Sequence, residues 1–116
     1  MTSNLITLAD GVEMTRLFRA KKEKILDPEF RNIGILPTCE TFDKSAFELL
    51  CKLESCKGIR IYCGMDSDFR VKMVICGVDA DDNDIYLNVP DSEDQKVIDS
   101  GVRCPAFCPP ASALNS

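Results

Sequence analysis

Residues 58–78 form two runs of alternating apolar side chains separated by a short polar segment, and this pattern constrains the fold most. Alternation with a period of two indicates strands with one buried face. The apolar positions are Ile59, Ile61, Cys63 and Met65 in the first run and Phe69, Val71, Met73 and Ile75 in the second. We therefore predict an antiparallel hairpin with its turn centred on the polar residues 66–68.

The register of this hairpin decides which side chains share a face, because a slip of one residue reverses the faces of a strand. If paired residue numbers have an odd sum, Arg70 and Lys72 lie on the same face as Ile59 and Ile61. An even sum, such as 63 opposite 71, places all eight apolar residues on one face. We predict the even register, with Tyr62 opposite Lys72, because burying two cations beside a core is costly.

Residues 85–89 alternate again and predict a third strand that joins the same apolar face through Ile85, Leu87 and Val89. In the pairing that closes on a turn at Asp81, Cys76 lies opposite Tyr86. The intervening acidic segment 79–84 has oxygen ligands spaced as in a calcium loop, but lacks its central glycine and its terminal bidentate glutamate. We interpret it as a polar hairpin turn.

Two amphipathic segments predict helices over residues 12–26 and 41–53. The first could be capped by Thr7 or Asp10, and it presents an apolar stripe of Met14, Leu17, Phe18 and Ile25. The second could be capped by Thr41 or Asp43, and its stripe contains Phe42, Ala46, Leu49, Leu50 and Leu53. The predicted fold class is α+β, with the two N-terminal helices packed on one face of a three-stranded antiparallel meander.

A length of 116 residues fits a single domain. We assign residues 1–102 to the α+β domain and residues 103–116, which contain three prolines, to an extended C-terminal tail. Between them, the acidic segment 91–101 predicts a short helix that stops at Gly101.

The chain contains no histidine, which excludes histidine-based catalytic triads and histidine-containing metal sites. A net charge of −5 argues against general nucleic-acid binding, and no apolar run is long enough for a membrane span. No phosphate-binding or dinucleotide-binding motif is present, so we expect no cofactor. A small-molecule enzyme that uses carboxylates and arginine has no supporting motif, and we rank it below a non-enzymatic role. The N-terminus shows no secretory signal, which predicts a cytoplasmic protein.

Seven cysteines are a high number for this length, but an odd count without a secretory signal favours mostly reduced thiols. Cys104 and Cys108 form a C-x3-C pair flanked by prolines. This pair could be a redox site, could contribute to a zinc site with other cysteines, or could anchor the tail as small apolar side chains.

The face of the meander opposite the core holds three cations and both tyrosines of the chain. Aromatic and arginine side chains are typical of interface hot spots, and the cations could bind a carboxylate or phosphate. The other interpretation is a solvated sheet face with ordinary cross-strand pairs. Our leading hypothesis is a non-enzymatic interaction or assembly module, a homodimer or the binder of a protein partner, with Cys104 and Cys108 as the alternative site. The candidate binding residues are Arg60, Tyr62, Arg70, Lys72 and Tyr86.

Two segments give the chain a resemblance to a family of small uncharacterised bacterial proteins. They are residues 58–66, GIRIYCGMD, and residues 103–115, RCPAFCPPASALN. The resemblance implies a bacterial, cytoplasmic protein, and it implies no activity, cofactor or functional residue.

Overall fold

The computed structural model describes residues 4–88 and 94–116 and shows an α+β protein. It contains two helices, α1 (Leu8–Lys21) and α2 (Lys44–Cys51), and a short 3-10 turn at Pro28–Phe30. The strands are β1 (Cys39–Thr41), β2 (Gly58–Met65), β3 (Val71–Val78), β4 (Asp84–Ile85), β5 (Leu87–Asn88), β6 (Gln95–Lys96) and β7 (Val102–Cys104). They form a three-stranded sheet of order β2-β3-β4 and two-stranded sheets of β5 with β6 and of β1 with β7.

The chain divides into two compact units. Within the described residues, the first contains 4–39 and 103–116, and the second contains 40–88 and 94–102. The first unit therefore holds α1 and the C-terminal tail. The second unit holds α2 and the three-stranded sheet.

Helix α1 begins at Leu8 because Thr7 is its N-cap, with the Thr7 hydroxyl oxygen accepting the Asp10 N–H at 3.1 Å. It ends at Lys21, before the predicted end, because residues 22–26 continue as hydrogen-bonded turns. The predicted apolar stripe is exposed and lines a shallow groove of about 300 Å³, in which Leu17 is 62% exposed. That α1 covers the apolar face of the sheet therefore stays a prediction.

Helix α2 begins after Asp43, whose carboxylate accepts the Ser45 N–H at 3.1 Å. Of the two predicted caps Asp43 is correct, since Thr41 lies in β1. The helix buries Leu50 against three residues from the strand region, so the core of the second unit sits between α2 and β3. These residues are Ile75, Leu87 and Ile98, and the half-buried side chains around them are Phe42, Ala46, Phe47, Leu53 and Cys56.

The β2–β3 hairpin has the even register, so the predicted sharing of one face is confirmed for seven of the eight apolar residues, all except Phe69. The pairs are shifted by two residues, and Tyr62 lies opposite Val74, not opposite Lys72 as predicted. The shift arises in the turn, where residues 67–69 form the loop and Phe69 has a φ of 65°. Phe69 thus belongs to the turn and not to the strand.

The two hairpin turns of the sheet share one hydrogen-bonding pattern. In the first, the Asp66 carboxylate accepts the N–H groups of Asp68 and Arg70. In the second, the Asp79 carboxylate accepts the N–H groups of Asp81 and Asn83, both at 2.9 Å. Each aspartate therefore closes its own turn, as aspartate side chains commonly do. The predicted polar turns are confirmed at both places.

The predicted third strand over residues 85–89 is wrong as a single element. The β4 ladder ends at Ile85, one residue before the predicted Cys76–Tyr86 pair, and Leu87–Asn88 pairs with Gln95–Lys96 instead. The reason is that the next backbone groups of β3 that point away from β2, those of Ile75, exchange two 2.8 Å hydrogen bonds with Ile98. The predicted helix over 91–101 is also wrong within 94–101, which holds β6 and this bridge. Val89 and residues 91–93 lie outside the described residues.

Candidate functional site

A hydrogen-bonded cluster lies on the predicted outer face of the sheet, and we call Arg60, Tyr62, Cys76, Asp82 and Asp84 the Asp84 cluster. The Asp84 carboxylate accepts Arg60 Nη1–H and the Tyr62 hydroxyl, each at 2.6 Å. The Arg60 guanidinium also forms an ion pair with Asp82. Because β2 and β3 place Arg60 opposite Cys76, the buried thiol lies beneath these groups.

The electrostatics of the Asp84 cluster favour the neutral forms of Tyr62 and Cys76 and the ionised form of Asp84. Hydrogen bonds from Tyr62 and Arg60 lower the pKa of Asp84, and the Asp84 acceptor raises the pKa of Tyr62. Burial, followed by the charge of Asp84, raises the pKa of the Cys76 thiol. A thiol with a raised pKa is a poor nucleophile, and a carboxylate with a lowered pKa is a poor proton donor. The cluster is therefore suited to holding strands together and not to acid–base or thiol catalysis.

The other predicted binding residues are not gathered into one site. Arg70 forms an ion pair with Asp66 in the hairpin turn, at 2.9 Å. Lys72 lies 3.6 Å from Asp99. Tyr86 follows β4 and is partly exposed. All three predicted cations therefore have carboxylate partners within the second unit, which weakens the hypothesis that this face holds an anionic ligand.

The sequence analysis missed Asp82 and Asp84. Asp84 could have been found, because it lies two residues before Tyr86, and alternate residues of a strand point to the same face. Asp82 could not, because it reaches Arg60 from a turn position with a φ of 68° that no alternation rule describes.

A second surface lies along β2, on the face predicted to be core. Met65, Ile61, Ile59 and Cys63 lie on this face and are exposed, Ile61 by 58% and Met65 by 60%. Helix α2 covers Ile75 of the neighbouring strand, which is 1% exposed although it pairs directly with Ile61. The apolar face of the sheet is thus covered at β3 and uncovered at β2, and its exposed half is defined here as the β2 face.

The cysteine pair of the tail forms a disulfide between Cys104 and Cys108, with the two Cα atoms 4.5 Å apart. Cys104 is buried in β7, and Cys108 is exposed. The main chain here is fixed by the carbonyl of Cys104, which accepts the Thr38 N–H at 2.8 Å. The five other cysteines are free thiols.

Within residues 4–88 and 94–116, no group of three or more cysteine or acidic side chains is arranged to hold a metal ion. No helix in this part of the chain has the length and apolar character needed to cross a membrane. Comparison of the chain with protein-family models, curated proteins and solved structures finds no match to any of them. The resemblance carried by residues 58–66 and 103–115 stays a prediction.

Proposed function

We propose that the chain is a non-enzymatic interaction and assembly module that binds a partner strand along β2. The single observation that carries the proposal is that β2 is an eight-residue strand at the edge of its sheet with an exposed apolar face. An edge strand presents unpaired backbone groups that pair readily with another chain. Exposed apolar side chains add affinity and specificity to such strand addition.

The geometry of the Asp84 cluster supports an interaction role over catalysis. Its cation is paired with Asp82 and Asp84, so this side of β2 presents Tyr62 and no free cation. The proposal therefore keeps Tyr62 from the predicted outer face and transfers the main binding role to the β2 face. In this proposal the partner does not contact Arg70, Lys72 or Tyr86, which lie outside the binding surface.

Site-specific photo-cross-linking tests the proposal. A benzophenone amino acid in place of Met65 is expected to give cross-linked adducts in cell extract, while the same group in place of the equally exposed Leu17 gives none. The adducts should disappear in an Ile61→Pro background, since proline removes the backbone donor of an edge position. Equal adducts from both positions, or adducts that survive Ile61→Pro, would contradict strand addition at β2.

The same pair of positions addresses the arrangement expected from sequence, in which both helices cover one face of the sheet. If the benzophenone at position 65 gave only adducts within its own chain at α1, this arrangement would be supported, and the proposed binding of a partner along β2 would be wrong.

A second candidate function is thiol–disulfide exchange at Cys104 and Cys108, which is favoured by their disulfide and by the exposure of Cys108. An external dithiol would break the S–S bond, deliver two electrons and two protons to the cysteine sulfurs, and itself become a disulfide. Intact mass spectrometry in dithiol redox buffers should show a two-proton gain with a midpoint above about −300 mV. A more negative midpoint would indicate a structural disulfide and end this candidacy.

A further inference from the structure

Among the described strands, β2 pairs with β3 on one side and with no strand on the other. Contacts of β3 identify which residues of β2 face the open side. Met73 N–H donates to Glu40, and Ile75 exchanges hydrogen bonds with Ile98, so the odd-numbered residues of β3 point away from β2. In the even register, the even-numbered residues of the two strands therefore bond to each other. The N–H and C=O groups of Ile61 and Cys63, like those of the other odd-numbered residues of β2, point to the open edge.

This edge lacks the usual protection against pairing. Natural edge strands carry lysine, proline, inward-pointing charges or bulges that keep other chains away. β2 contains no proline and no lysine, and its one charged residue, Arg60, is held by Asp82 and Asp84. The strand therefore presents eight residues of regular backbone, and its one charged side chain is paired with carboxylates of the same chain.

The sequence of β2 is complementary to itself under a two-fold axis. Antiparallel pairing of two copies centred on Tyr62 overlaps residues 59–65, which is all of the strand except Gly58, and joins each Ile61 to Cys63 of the second copy. In the same register Ile59 meets Met65 of the second copy, so the exposed apolar residues become cross-strand pairs. Arg60 then lies opposite Gly64 of the second copy. A register centred on Arg60 would instead bring two arginines together and shorten the overlap.

We propose that the occupant of the β2 edge is a second copy of this chain, paired antiparallel about a two-fold axis at Tyr62. The inference rests on the proposed function, because it names the partner of the same surface. Two three-stranded sheets become one continuous sheet, with the two β2 faces forming a single apolar stripe. Isologous contacts of this kind close on themselves and give a dimer, not a filament.

Sedimentation velocity over a wide range of protein concentrations tests the pairing. The wild-type protein is expected to dimerise, and Ile61→Lys is expected to weaken dimerisation tenfold or more, because it places an unpaired charge in the stripe. Leu17→Lys is the matched control, since Leu17 is equally exposed but lies in α1, and it should dimerise like the wild type. A wild type that stays monomeric, or a dimer that is lost in Leu17→Lys and kept in Ile61→Lys, overturns the inference.

Disulfide trapping tests the register. In a Cys63→Ser background, Tyr62→Cys places one thiol opposite its own copy and should give a covalent dimer on mild oxidation, whereas Gly64→Cys should not. Trapping through position 64 and not position 62 would overturn the axis at Tyr62.

The benzophenone adducts at position 65 separate this inference from the proposed function. Adducts with the mass of two chains support both. Adducts of other mass that disappear in the Ile61→Pro background, found with a wild type that is monomeric, would support the interaction module and contradict self-pairing.

Discussion

Leu50→Ala is expected to lower the free energy of unfolding of the second unit by about 3 kcal/mol, the larger of the stability effects we predict. Leu50 is 1% exposed and packs with Ile75, Leu87 and Ile98. Removing its side chain beyond Cβ loses the transfer free energy of the buried methyl groups. It also leaves a cavity between α2 and β3, because close-packed neighbours relax only in part.

Leu49→Ala is the matched control, because Leu49 is the preceding residue of the same helix but is 48% exposed. Its expected cost is below about 1 kcal/mol. Both variants are compared by urea denaturation with tyrosine fluorescence as the signal. The chain has no tryptophan, and its two tyrosines, Tyr62 and Tyr86, both lie in the second unit. Equal losses for the two leucines would show that α2 does not bury the residue that the structure assigns to the core.

The contrast between Leu49 and Leu50 shows how far periodicity predicts a helix of this length. The apolar spacing identified α2 and its cap Asp43, and it placed Leu50 in the apolar stripe. It also included Leu49, which is exposed, and omitted Phe47, which packs against the core. An eight-residue helix makes little more than two turns, so several apolar stripes fit its sequence equally well. Only the contacts with β3 select one of them.

In the hairpin, alternation determines which side chains share a face, and the turn conformation determines which residues pair. Burial of apolar side chains favours an even register, but a slip of two residues keeps every side chain on its face. The two even registers therefore have the same hydrophobic pattern, and the turn chooses between them. Phe69 adopts a left-handed conformation that is uncommon for a bulky residue, so the sequence favoured placing it in the strand. This is why the faces were predictable and the pair of Tyr62 was not.

The candidate interaction surface in the structure differs from the predicted one for a related reason. The sequence predicts correctly that Ile59, Ile61, Cys63 and Met65 share a face with Ile75. Their exposure depends on how much of that face α2 covers, and a short helix covers only the part over β3. The candidate site thus moved from the predicted polar face to the edge and the uncovered apolar residues of β2, while Tyr62 remains part of it.

Gly101 was predicted to stop a helix, and the structure gives it a different role that leads to the second large effect. A Cβ atom at position 101 would lie 2.6 Å from Oε2 of Glu40 and 2.7 Å from the ring of Phe42. Glycine is therefore required by the close approach of neighbouring side chains, as is common for glycine in irregular segments. These neighbours cannot withdraw freely. Oε1 of Glu40 accepts the Met73 N–H at 3.1 Å, and Phe42 contacts Phe47 edge-to-face.

Gly101→Ala is accordingly expected to lower the free energy of unfolding by about 2 kcal/mol through overpacking. Gly58→Ala is the control, since the nearest side-chain atom to its added Cβ is 4.0 Å away, and it should change stability by less than about 0.5 kcal/mol. The readout is again urea denaturation followed by tyrosine fluorescence. Similar stabilities for the two alanine variants would mean that position 101 has room for a side chain.

A double-mutant cycle distinguishes this clash from a general loss of glycine flexibility. Phe42→Leu removes the ring atoms that the new Cβ would meet, at its own cost as a truncation of a half-buried side chain. If the clash with Phe42 is the cause, Gly101→Ala should cost less in the Phe42→Leu background, with a coupling of about 1 kcal/mol. Additive effects would instead place the cost in the backbone of residue 101 or in the contact with Glu40. In the second case the carboxylate of Glu40 requires the glycine, because its Oε2 would lie 2.6 Å from the added Cβ.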